Sequence, residues 1–344
     1  MEPGTNPAQP NPQLVWDTIN AYQRTAALRA AIDLDLFTLI GEGDRTALDL
    51  AEKSNASPRG MRILCDYLAV IGFLAKVGDT YRLTLTSGVF LNRKSPACMA
   101  SMARFLNSPK LMSGFTNFTE TVRRGGTQLS SGGVNEPECS EWVTFAESMT
   151  PLMSTACKAV VELCSHANGH RIRVLDVAAG HGLFGIAVAT QTPKAQITAQ
   201  DWPNVLEVAH RNAELAGVSD RYHLLPGSIL DVDLGEGYDV VLVTNLLHHF
   251  DERLCSQILR KIHHCLSDNG RLINLEFVPN EDRVSPPIPA TFSLMMLGLT
   301  SAGDAYTARQ HERMLSEAGF NKPSVTPVPQ SPQHLIISTK RNQK

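Results

Sequence analysis

Residues 174–185 read Val-Leu-Asp-Val-Ala-Ala-Gly-His-Gly-Leu-Phe-Gly. An apolar run of strand character ends in a glycine turn, and that turn opens a helix. Gly180, Gly182 and Gly185 complete a G-x-G-x-x-G, the spacing of a dinucleotide site. Asp176 points to a different ligand. A pyrophosphate lies against backbone N–H groups at a helix N-terminus, and a carboxylate aimed into that turn repels it. A ligand with a cationic head is attracted instead. The pattern Asp-x-Ala-x-Gly-x-Gly therefore favours S-adenosylmethionine, which carries an ammonium and a sulfonium and no phosphate. Two other readings stay open at this point: a nicotinamide dinucleotide, and a tight strand–helix turn that binds nothing.

Working outward, the 344 residues suit two domains better than one. Hydrophobic residues make up 43% and charged residues 19%, an ordinary globular balance. A formal net charge of −3 provides no electrostatic drive toward nonspecific nucleic-acid binding. Residues 1–13 are rich in Pro, Asn and Gln without an apolar core, so the expectation is a disordered tail and no signal peptide. No run of about 18 apolar residues predicts a membrane span. The seven cysteines form no C-x-x-C and no regular framework. They read as reduced thiols of a cytoplasmic protein.

Residues 14–100 predict a helical domain with a small β-wing. Apolar residues recur at helical spacing over 14–40, among them Ile19, Ala26, Ala30 and Leu34. Thr46 is placed to cap a short helix. Ser57-Pro58 starts another, with Met61, Leu64, Leu68 and Ile71 on one face and a stop near Gly72. Residues 74–84 then read as two short strands around Gly78-Asp79. This helix–turn–helix–wing order serves DNA readers and packing domains alike. The candidate recognition helix carries only Arg59 and Arg62 beside Asp66, and the apolar face over 14–40 exceeds what so small a domain buries alone. The expectation is a dimerisation domain. Residues 101–165 read as a helical linker interrupted by a Gly/Ser-rich loop over 125–133. Beyond that loop, Trp142, Phe145, Met149 and Met153 suit a core, and Phe145 and Met149 also suit the wall of a flat organic substrate.

From 171, within a catalytic domain expected over 166–344, the pattern changes to strands alternating with helices. Strands are expected over 171–177, 196–201, 222–225, 238–245, 271–277 and 334–339, and helices over 183–190, 205–215, 254–266 and 307–318. This order predicts an α/β fold, a doubly wound and mostly parallel sheet with helices on both faces. Ligands then bind beyond the carboxyl ends of the strands, which concentrates attention on the residues found there. Asp201 ends the second strand, twenty-one residues after Gly180, where an acid accepts hydrogen bonds from ribose hydroxyls. Ser228 and Ile229 follow the third strand, where they border an adenine or form a plain turn. His248 and His249 follow the fourth, past Asn245. A histidine at this mouth can act as a base at neutral pH. Glu276 ends the fifth, about 5 Å away across the sheet, close enough to fix the tautomer of that imidazole and to stabilise its charged form. An inert pair with Arg283 or Lys261 is the other reading for Glu276. His263, His264, Cys255 and Cys265 fit no zinc spacing. Lys261, His263 and His264 are expected in the last turn of a helix closed by Gly270, and no metal is expected.

With these residues in view, the chain resembles the S-adenosylmethionine-dependent O-methyltransferases of the caffeate and acetylserotonin type, from about residue 14 to 340. Segments 174–182, Asp201-Trp-Pro-Asn-Val, 247–255 and 271–279 carry the likeness, and 292–307 followed by Phe320 also fits. The resemblance implies the class I methyltransferase fold with an N-terminal winged-helix dimerisation domain, and a partner subunit that helps close the acceptor pocket. It implies a donor site drawing on Asp176, Gly180, Gly182, Asp201, Trp202, Ser228, Ile229 and Asn245. It implies His248 as general base and Glu276 as the acid flanking it, with S-adenosylhomocysteine as the second product. The family's His-Asp-Trp reads His248-His249-Phe250 here, its loop acid is Ser228, and its second flanking acid falls at Ala305. The acceptor pocket is expected to draw on Phe145, Met149, His249, Phe292, Met295 and Met296. The acceptor is then a small, mainly apolar or aromatic metabolite, bound by a homodimer with no nucleic-acid or membrane partner. Methylation of nitrogen or carbon by positioning alone is one alternative. A winged-helix regulator that binds the donor as a ligand is the other.

Overall fold

The structure, a computed structural model, describes residues 10–149, 153–164 and 171–341. Residues 1–9 of the expected tail and the start of the expected catalytic domain at 166–170 lie outside the described residues. The chain divides into two units, Met1–Asn107 and Ser108–Lys344, so the division falls inside the segment expected as a linker.

In the first unit the periodic stretch breaks into α1 (Gln13–Ile19), α2 (Ala21–Asp33) and α3 (Leu36–Gly41). The second break is at Asp35, whose backbone is left-handed with φ 56°. Next come β1 (Arg45–Thr46), α4 (Ala47–Lys53) and α5 (Pro58–Val70). Thr46 caps α4 in a capping box with Asp49, and Ser57 caps α5. The wing is β2 (Leu74–Val77) and β3 (Thr80–Leu83), which joins β1 in a sheet ordered β1-β3-β2. Two short helices, α6 (Leu85–Phe90) and α7 (Ala100–Leu106), end the unit. Phe37, Leu50, Met61, Cys65, Leu68 and Tyr81 form its core. Leu14, Trp16, Ile19 and Tyr22 on α1 and α2 stay more than half exposed.

The second unit opens with α8 (Pro109–Ser113), α9 (Phe118–Arg124), α10 (Ser140–Ser148) and α11 (Ser154–Cys164). It continues with β4 (Arg173–Val177), α12 (Leu183–Gln191), β5 (Gln196–Asp201), α13 (Pro203–Leu215), β6 (Tyr222–Pro226) and β7 (Tyr238–Thr244). Last come α14 (Glu252–Cys265), β8 (Leu266–Glu276), α15 (Pro287–Leu299), α16 (Ala308–Glu317), β9 (Ser324–Pro327) and β10 (His334–Thr339). The sheet order is β6-β5-β4-β7-β8-β10-β9. Strands β4 to β8 pair in parallel, and β10 is antiparallel to both of its neighbours.

Strand alternation divides the apolar residues between two layers. Val174, Ile197, Leu242, Ile273 and Leu335 pack under α11 to α13. Leu175, Val177, Val241, Leu272 and Ile336 pack under α14 and α16. Cys255, Ile258, Leu259 and Ile262 put the apolar stripe of α14 into that second layer, each buried side chain worth about 1.5–3 kcal/mol for the larger aliphatics. Chain order reverses between β4 and β7, so the crevice for ligands opens at their carboxyl ends.

Two local expectations need correction. Gly270 does not close α14, which ends at Cys265; Gly270 lies inside β8, where a Cβ would meet the Tyr238 carbonyl at 2.8 Å. Pairing of Leu266 with Tyr238 starts the strand early. The helix α15 and strand β9 were not expected from periodicity: α15 is apolar almost all round, so it shows no stripe, and β9 is only four residues long.

Candidate active site

The β4–β5–β6 end of the crevice is built from backbone held by buried side chains. Gly180 and Gly182 are left-handed, with φ 57° and 74°. A Cβ on Gly182 would meet the Tyr222 hydroxyl at 2.5 Å and Ala209 at 3.0 Å, and one on Gly185 would meet Ile197 at 2.7 Å. Those two glycines therefore let α12 sit close to the sheet and α13. Gly180 differs: nothing but the Ala178 carbonyl, at 3.9 Å, approaches its Cβ position. The loop is open at that one glycine.

Asp176 is fully buried, and its Oδ2 accepts from Gly185 N at 3.0 Å. Its carboxylate thus fixes the turn from beneath instead of facing into it, and one oxygen, Oδ1, has no protein partner. Burial raises its pKa to about 7, with the N–H of Gly185 opposing. Asp201 accepts from Gly180 N at 2.8 Å and from Trp202 N at 2.7 Å. Burial raises it to about 6. Each of its oxygens keeps a free lone pair. Gln200, which the sequence reading passed over, ties the ends of three strands together. It accepts from Ala178 N at 3.3 Å and donates to the Gly227 carbonyl at 2.6 Å.

Of the remaining donor candidates, Trp202 precedes α13 and packs with Val205, Val208 and Ala146. Ser228 accepts from Leu230 N at 3.2 Å, and Ile229 is buried in the α14 layer. Asn245 is left-handed with φ 58° and accepts from Gln333.

The β7–β8 end is built from side chains. A 3-10 turn, Leu247–His249, follows β7. His248 is buried, and its Nδ1 lies 2.5 Å from Glu276 Oε2. Glu276 Oε1 accepts from Leu247 N at 2.8 Å and Leu246 N at 3.2 Å. Burial pushes its pKa up, but the neighbouring imidazoles and backbone N–H hold it below the usual value. The carboxylate thus places the His248 proton on Nδ1 and leaves Nε2 as an acceptor. Neither Arg283 nor Lys261 reaches Glu276: Arg283 pairs with Asp304, and Lys261 donates to the Ile229 carbonyl.

Aromatic rings surround His248. Phe292 on α15 lies edge-on at 4.8 Å and stacks on Phe277 at 4.1 Å. His249 lies 4.4 Å from His248 and 5.0 Å from Trp142, which in turn meets Phe145 at 5.6 Å. Asn135 donates to the His249 carbonyl at 2.7 Å. Burial and the adjacent His248 drive the His249 pKa well down. Met295 and the buried Met296 share the α15 surface near Phe292. Met149 packs instead against the α11–α13 layer. Phe277 and Trp142 are the members of this cluster that periodicity marked as strand and core. Their only signal was aromatic character close to a strand end and a loop. Among the described residues no cluster of His, Cys, Asp and Glu can hold a metal ion.

The family model for the O-methyltransferase domain matches residues 124–321, and that for the O-methyltransferase dimerisation domain matches residues 16–93. A protein of Nostoc punctiforme assigned as an O-methyltransferase is 46% identical, over 96% of this chain and 100% of its own, with a TM-score of 0.92. The tetracenomycin polyketide synthesis 8-O-methyl transferase of Streptomyces glaucescens is 26% identical over 93% of this chain and 94% of its own. Human N-acetylserotonin methyltransferase, solved in complex with S-adenosylmethionine, shares the fold at 22% identity and a TM-score of 0.84, over 98% of this chain and 100% of its own.

Proposed function

This chain belongs to the O-methyltransferase family, and from that premise we propose that His248 is the general base that activates a hydroxyl on a flat, mainly aromatic small metabolite. The enzyme is S-adenosylmethionine-dependent. The observation that carries the reading of His248 is its buried pair with Glu276 at the ends of adjacent strands.

The donor fits the residues present. The buried acids Asp176 and Asp201 disfavour a pyrophosphate in the glycine turn, while the open face of Gly180 and the free lone pairs of Asp201 suit a ribose. Asp201 is assigned to the ribose hydroxyls, Gly180 and Gly182 to close backbone approach, and Ser228 and Ile229 to the adenine edge. Trp202 and Asn245 flank them, and Asp176 acts by holding the turn and through its charge. When bound, S-adenosylmethionine supplies a methyl carbon already activated by its sulfonium and leaves as S-adenosylhomocysteine. The protein's own task is alignment and proton removal. His248 Nε2 takes the acceptor's hydroxyl proton as oxygen attacks, and Glu276 offsets the imidazolium charge without taking that proton. Phe292, Phe277, His249, Trp142 and Phe145 supply flat apolar walls, with Met295 and Met296 as adaptable filler, which supports an aromatic acceptor.

The dimerisation domain over 16–93, which leaves Trp16, Ile19 and Tyr22 exposed with Leu14 just ahead of it, supports a homodimer. Arg62 on the expected recognition helix is paired with Asp66 at 3.0 Å, which supports packing over DNA reading. No helix among the described residues is long and apolar enough to cross a membrane. Seven cysteines without a disulfide accord with a reducing, cytoplasmic setting.

The test uses a metabolite extract, isotopically labelled S-adenosylmethionine and mass spectrometry. The native enzyme should yield a new methylated species, and His248→Ala should form it roughly 10²–10⁴ times more slowly. Calorimetric affinity for the donor should not change. Full turnover by His248→Ala rejects the assignment.

A further inference from the structure

Several buried polar groups take no part in the reaction so far described, and two of them, Asn274 on β8 and His311 on α16, belong to one face of the sheet. Leu272, Asn274 and Glu276 alternate along that strand and so point the same way. Leu272 belongs to the layer beneath α14 and α16, as do Val243 and Ile336, the residues paired with Asn274 on either side. The buried positions of α16 are His311, Met314 and Leu315, and the last two belong to the same layer. His311 therefore faces this side of the strand from above. Asn274 is fully buried and His311 is 1% exposed. The amide nitrogen and oxygen of Asn274 and both ring nitrogens of His311 have no protein partner.

Four unpaired polar atoms in an apolar layer are costly. A leucine at either site would avoid that cost. Buried polar atoms nearly always find a partner, and where the protein offers none, internal water does. Glu276 lies on the same face, about 6.6 Å along the strand from Asn274. Its Oε1 is engaged by two backbone N–H groups, whereas Oε2 meets only His248 Nδ1 and keeps a lone pair. His311 and Glu276 also act on each other electrically. Burial lowers the His311 pKa to about 4 while Glu276 opposes it, and His311 in turn lowers Glu276. A neutral His311 still offers one N–H donor.

We infer that Asn274 and His311 hold internal water against Glu276 Oε2, and so act as positioning residues that keep this carboxylate aimed at His248 Nδ1. The inference rests on His248 being the base. It extends the pair into a four-residue unit whose outer members never touch the acceptor.

His311→Leu and Asn274→Leu remove the polar atoms and leave apolar groups that suit the layer. Each should keep or raise Tm, keep donor Kd and acceptor KM, and lower kcat about 10-fold, the worth of one hydrogen bond to a charged group. His311→Gln, which retains a donor and an acceptor, should recover most of that loss. The double leucine variant should lose no more than either single one, because the two act as one unit. Unchanged kcat in both leucine variants, or a loss that follows Tm, overturns the inference. Ring-nitrogen NMR of His311 supplies a readout that does not need the leucine variants to fold. Its signals should move when Glu276→Gln is introduced, and unmoved signals overturn the inference. If instead His248→Ala retains turnover, the base assignment has failed, and with it the premise.

Discussion

The two ends of the active-site crevice are made of different material. On the donor side the sheet presents backbone: glycines at positive φ, N–H groups held by Asp176 and Asp201, and a glutamine bracing three strand ends. On the acceptor side it presents side chains: a histidine–glutamate pair within a ring of aromatics drawn from α10, α15 and the ends of β7 and β8. A backbone surface tolerates little change and suits one constant ligand. A side-chain surface is redrawn by substitution and suits a variable one. One fold can thus keep its donor while its acceptor changes.

The contrast is open to attack at both ends. Beyond the loss of His248 itself, Glu276→Gln should give the largest effect. The amide can turn a donor toward His248 Nδ1 and spoil its tautomer, so kcat should fall about 100-fold with donor affinity intact. A matching fall in donor affinity would show that the two ends are not separable. Asp201→Asn should be next. Both oxygens of Asp201 accept backbone N–H groups, and an amide NH₂ facing one of them breaks that arrangement. Calorimetry should show donor Kd weakened about 10-fold, the scale of a lost charge-assisted bond, with the pH profile of kcat retained. A changed profile with unchanged Kd would move Asp201 to the acceptor side.

The smallest effect is in pH. Burial raises Asp176 to about 7 and Asp201 to about 6, both above their unfolded value of 3.8. Between those limits the native chain holds more protons than the unfolded one, so these acids make the free protein less stable as pH rises toward 7. A cationic donor favours the ionised carboxylates. Donor affinity should therefore tighten a few-fold as pH rises through about 6 to 7, with protons released on binding. Calorimetry in buffers of differing ionisation enthalpy reads that release. Zero release, or weaker binding over this window, would remove the two acids from donor recognition.

Legibility differs between the two ends for a physical reason. The donor loop lies within one short segment, so strand, turn and helix start are all visible in twelve consecutive residues. His248 and Glu276 were legible too, because parallel strands bring the residues just past their ends into one row. Trp142 and Phe277 meet His249 and His248 only through tertiary packing, and Phe292 is reached through the family resemblance, because α15 is too uniformly apolar to advertise a face. Asn274 was hidden in the same way: within a buried strand it reads as one polar interruption, and only the register shows which layer receives it.

The sequence by itself determined the alternation of strands and helices, the caps at Thr46 and Ser57, the glycine turn and the charged residues at the strand ends. Each depends on periodicity, capping or backbone freedom, which act over a few residues. Tertiary structure alone decided that Asp176 braces the turn from below, that His249 becomes a wall against Trp142, and that His311 and Asn274 share a layer with Glu276. Those outcomes depend on which faces meet when distant segments pack, and local propensities do not carry that information.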